Sequence, residues 1–90
     1  MPLWTTRAGL AALPRAFVPD AIAGLDMATD AGRSAARLRM ATSLARNLKA
    51  STLVASCRAN GIRHITTGVA AAHALASISI PEDQLRTAPS

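Results

Sequence analysis

Residues 31 to 59 read AGRSAARLRMATSLARNLKASTLVASCRA, and this stretch decides the fold class. It holds no proline and no acid, and Ala, Leu, Arg and Met, which lose little on entering a helix, dominate it. At about 100° per residue, Leu38, Ala41, Leu44, Ala45, Leu48, Thr52 and Ala55 fall on an arc of about 120°, with Arg39, Arg46 and Lys49 on the flank beside it. Asn60-Gly61 then supplies a helix stop. The spacing predicts a long, central, basic amphipathic helix.

Working outward toward the N-terminus, Gly24, Ala28 and Gly32 stand four apart, a smooth strip on which another helix could settle closely. Pro19-Asp20 reads as a helix start with Asp20 as N-cap and Ile22 and Leu25 at helical spacing, and Asp30 as a cap for a restart. Residues 1 to 19 carry Arg7 and Arg15, no acid, and an apolar arc of Leu3, Leu10, Leu13 and Phe17, a composition resembling a mitochondrial targeting segment. Their apolar run, broken by Arg7 and Pro14, is not that of a secretory signal.

On the C-terminal side, residues 64 to 80, HITTGVAAAHALASISI, hold no formal charge apart from two titratable His. Gly68, Ala72 and Ala76 form a second small-residue ridge, and Ser79-Ile80-Pro81-Glu82 fits a capping box for a last turn through Leu85. Arg58 and Arg63 before the run and Glu82 and Asp83 after it match a positive-inside arrangement, so a membrane segment is one expectation for this helix. A span needs about 20 mostly apolar residues, which makes the run marginal. The chain divides into a targeting-like segment 1–19, a basic helical region 20–61, an uncharged small-residue helix 62–80 and a short turn and tail 81–90.

The whole is therefore all-α. Of the 90 residues 21 are Ala, and there is one Trp, one Phe and no Tyr, so large core formers are few. Because Ala buries little area, two or three helices in an extended or loosely packed arrangement are expected, leaning on a partner for order.

Function is bounded by what the residues can do. The sequence contains no nucleophile elbow, phosphate-binding glycine loop, dinucleotide fingerprint or zinc-protease motif. The carboxylates Asp20, Asp26, Asp30, Glu82 and Asp83 suit helix N-termini better than acid/base work. Cys57, His64 and His73 are metal-ligand types, but their spacing matches no tight zinc signature, and no cofactor or metal is expected. One Cys forms no internal disulfide, which fits a reducing or organellar compartment.

Charge is the strongest signal. The net charge is +5, and between Asp30 and Glu82 there is no acid, whereas Arg33, Arg37, Arg39, Arg46, Lys49, Arg58 and Arg63 all lie there. These seven side chains are expected to meet acidic subunits or anionic lipid head groups, with Leu38, Leu44 and Leu48 as docking face and the Gly68, Ala72, Ala76 ridge seating a neighbouring helix. The leading expectation is a non-catalytic accessory subunit of a mitochondrial inner-membrane complex, acting as a helical scaffold without a small-molecule substrate. A ribosomal-type protein holding rRNA phosphates through the same arginines is the main alternative, although no aromatic platform lies in the basic region. A free-standing microprotein is a further one.

Overall fold

The computed structural model describes residues 3 to 81, and among these every regular element is helical. A 3-10 turn, Leu3–Thr5, leads into α1 (Arg7–Ile22), α2 (Asp30–Asn47), α3 (Ala50–Ala59) and α4 (Gly68–Ser79). Helices α1 and α4 each pack against both α2 and α3, while the diagonal pairs touch little, so the four make a bundle of adjacent contacts around one core.

Helix α1 corrects the expected start at Asp20, because both Pro19 and Asp20 lie inside it, as does Pro14. A proline within a helix removes the N–H that would serve the carbonyl four residues back. For Pro14 that carbonyl belongs to Leu10, and the buried Ser56 hydroxyl of α3 donates to it at 2.7 Å. The proline defect thereby becomes the point where α1 is fastened to α3. Arg15, whose carbonyl Pro19 leaves unserved, is exposed to water. At the other end, Thr6 caps the helix by accepting the Gly9 N–H at 3.0 Å.

The expected helical spacing through Ile22 and Leu25 is likewise replaced by a turn. Gly24 adopts a φ of 74°, the left-handed region that glycine enters without steric cost. Asp26 then accepts the Ala28 N–H on its carboxylate at 3.0 Å, and Thr29, rather than Asp30, caps α2 by accepting the Gly32 N–H at 3.0 Å. Gly32 is not part of a smooth strip for a partner: a Cβ there would lie 1.9 Å from the Asp26 carbonyl oxygen.

The single long helix over 31–59 is two helices. Leu48 and Lys49 both take extended backbone, at ψ near 149°, and Asn47 folds its amide onto the Ser43 carbonyl at 2.8 Å to close the end of α2. An unbroken helix of this length would run about 44 Å, longer than the molecule's 38 Å longest dimension, and could not bring Leu44 and Leu53 into one core. The stop at Asn60-Gly61 is where the sequence places it. Gly61 has a φ of 85°, its N–H reaches the Arg58 carbonyl at 3.1 Å, and the Ile62 N–H reaches the Cys57 carbonyl at 2.9 Å, the paired bonds of a Schellman end. Nothing lies within 4 Å of a Cβ built on Gly61, so Gly61→Ala meets only the left-handed backbone penalty. We expect it to lower stability by about 1 kcal/mol in denaturant titration; an unchanged midpoint would contradict the αL assignment.

Packing is tight, contrary to the loose arrangement expected from composition. The radius of gyration is 12.9 Å, close to the roughly 12 Å of a compact chain of this length. Alanine achieves this by letting helices approach: Ala21, Ala36, Ala41, Ala71, Ala72 and Ala76 all belong to the buried cluster that surrounds Met40, Leu44, Leu53 and Leu75. Gly68 sits so close on α3 that a Cβ would come within 2.7 Å of the Ala50 Cβ. Helix α4 is also shorter than the 64–80 run, since Thr67 caps it and His64 to Thr67 precede it as loop. Among the described residues no helix is long and apolar enough to cross a membrane. The capping box that would reach Glu82 lies outside the described residues.

Candidate functional site

The seven cations between Asp30 and Glu82 divide into two sets once the chain is folded. Arg33 is only 2 % exposed; it pairs with Asp30 and donates to the Met27 carbonyl at 2.9 Å, holding the 26–30 turn against α2. Arg37 donates to the Ile80 carbonyl at 2.9 Å and Arg39 to the Ala23 carbonyl at 2.8 Å. Ile80 and Ala23 are the C-caps of α4 and α1, so these two guanidiniums satisfy helix-end carbonyls and oppose the negative end of each helix dipole. Each of these three arginines is thus anchored within the fold, although Arg39 remains exposed.

The second set is Arg46, Lys49, Arg58 and Arg63, joined by Arg7 and Arg15 of α1; all are exposed, and among the described residues none forms an ion pair. Arg7, Arg58 and Arg63 line one cavity of about 440 Å³ whose remaining wall is Leu10, Ala55 and Ala59. Arg7 belongs to the segment read as targeting-like, and nothing in linear spacing joins it to Arg58.

The apolar docking residues are also redistributed. Leu44, with 0 % exposure, is in the core, and Leu48 is half-buried against it. Of the small ridge, Gly68 lies against Ala50 of α3, and Ala72 and Ala76 are buried in the chain's own core. Leu38 alone of the predicted face remains outside, 62 % exposed, and Val69 of α4, at 67 %, is the other most exposed large apolar side chain among the described residues. Two shallow grooves connect them. One runs along α2 past Leu38, Arg39, Thr42, Arg46 and Asn47; the other lies between α2 and α4, past Thr42, Ala45, Arg46, Val69 and His73. Sharing Thr42 and Arg46, they form one face with exposed apolar ends and a basic middle.

Cys57 is buried, and its thiol lies 3.5 Å from the Ala71 carbonyl; burial pushes it above the ordinary thiol range, which leaves it protonated and a poor nucleophile. His64 and His73 are exposed on separate elements. No group of three His, Cys, Asp or Glu side chains among the described residues could hold a metal ion. No known protein family, curated protein or solved structure matches the chain.

Proposed function

We propose that this protein is a non-catalytic accessory subunit that attaches to a larger organellar assembly, at the matrix side of a mitochondrial inner-membrane complex, through the α2–α4 face. The observation that carries this reading is the continuity of that face. Leu38 and Val69 stand more than half exposed at its two ends, and Arg46 lies in both grooves between them. Such a surface suits a partner helix presenting an apolar ridge bordered by Asp or Glu. Apolar contact supplies the affinity and the cationic rim the orientation. Helix α4 has 12 residues, about 18 Å of length, so attachment beside a membrane rather than a span is the form this reading takes. The targeting-like composition of residues 1 to 19 supports the location.

The RNA reading draws on a different observation, the seven exposed cations, Arg39 among them, without an acidic partner among the described residues. Sedimentation of cell extracts separates the two. Attachment through the α2–α4 face keeps the chain in a large particle at about 0.5 M salt and after ribonuclease, because apolar contacts survive screening. A particle that shrinks on ribonuclease gives the arginines to RNA, and migration at the chain's own 9.3 kDa overturns both readings.

A further inference from the structure

We infer that the cavity bordered by Arg7, Arg58 and Arg63 is a binding site for a diphosphate-type anion. Its three guanidiniums come from separate places in the chain: the first residue of α1, the last turn of α3 and the loop beyond Gly61. Two features fix that convergence. The Ser56 hydroxyl on the Leu10 carbonyl, at 2.7 Å, holds α1 on α3 beside the cavity. The Schellman bonds at Gly61 and Ile62 turn the chain so that Arg63 lines the same cavity as Arg58.

Three like charges gathered around one concavity repel one another, and among the described residues no carboxylate pairs with any of them. The fold thus holds an uncompensated positive site that an anion would relieve. A carboxylate would neutralise one charge of three, whereas a diphosphate carries enough charge and enough oxygens to accept forked bonds from all three guanidiniums. Leu10, Ala55 and Ala59 supply an apolar side against which the organic part of a phosphate ester can rest. A free nucleotide and a lipid head group both present this chemistry. The site shares no residue with the α2–α4 face, so either assignment can fail while the other stands.

The test is calorimetric titration of the full chain with inorganic pyrophosphate at about 0.15 M salt, where diffuse surface attraction is screened. Saturable binding is expected, with the Kd raised about tenfold or more by each of Arg7→Gln, Arg58→Gln and Arg63→Gln and less than about twofold by Arg15→Gln, an exposed arginine outside the cavity. Arg58→Lys keeps the charge, loses the fork and should weaken binding severalfold; it also serves if a Gln variant loses its helical circular dichroism. Parallel titrations with ADP and with phosphatidylcholine vesicles containing CDP-diacylglycerol identify the source: arginine-dependent binding to either supports the site. No saturable pyrophosphate binding, or an equal loss with Arg15→Gln, overturns it.

Discussion

Removing residues 1 to 19 is expected to abolish the cooperative thermal transition of this protein. The deletion takes away the greater part of α1, including the buried Leu13 and the Phe17 and Val18 that pack on the core. It also removes the Leu10 carbonyl to which the Ser56 hydroxyl donates, and with it the bond that fastens α1 to α3. Apolar surface on α2 and α3 that α1 covers would meet water. A domain of this size has only about 5–15 kcal/mol of stability in total, so losing one of four helices exceeds what it can absorb. Circular dichroism of the 20–90 chain should show a broad, non-cooperative melt. A sharp transition within about 5 °C of the full chain would show that α1 is an appendage. The outcome bears on the proposed location, because an address built into the core would have to stay attached.

The second large effect is Gly32→Ala, where two physical arguments give opposite signs. Helix propensity alone favours alanine by about 1 kcal/mol. Geometry opposes it. The new methyl would lie 1.9 Å from the Asp26 carbonyl oxygen and 2.7 Å from its carbon, both backbone atoms held by the bonds that Thr29 makes to Asp26. Relief requires moving the 26–29 turn, which would also pull the Met27 carbonyl from Arg33 and the Thr29 cap from the start of α2. Overpacking of this kind costs about 3 kcal/mol, which corresponds to a drop in Tm of roughly 12–24 °C for a chain this short. A rise in Tm would mean that the turn does not cross α2 at Gly32.

How far the sequence could be read depended on whether the deciding contact was local. The all-helical class and the stop at Asn60-Gly61 rest on propensity and on one left-handed glycine, both written in adjacent residues. The ridge of Gly68, Ala72 and Ala76 was legible as a surface for close approach, but spacing does not say whose helix approaches. The continuation of α1 through Pro14 depends on Ser56, 46 positions from the carbonyl it serves, and no local pattern announces that rescue. The break at Leu48 and Lys49 falls on two good helix formers and is imposed by the need to return Leu53 to the core that holds Leu44. For the candidate sites, charge sequence found the arginines but could not sort them. Arg37 and Arg39 differ from Arg58 and Arg63 only in whether a helix end lies beside them, and Arg7 reaches the cavity through folding alone. The apolar arc failed similarly. Its opposite edges, Leu38 and Leu44, are treated alike by periodicity, yet the core takes Leu44 and leaves Leu38 in water.

The central claim is that the α2–α4 face holds the chain in a larger assembly, and the most direct measurement is the native mass of wild type beside a Leu38→Asp, Val69→Asp double variant in the same cells. Both positions are more than half exposed, so the variant should fold as wild type does, with the same circular dichroism and a Tm within about 5 °C. The account predicts that wild type migrates with a large, ribonuclease-resistant particle while the folded double variant is found at its monomer mass. A folded variant that stays in the particle would contradict it.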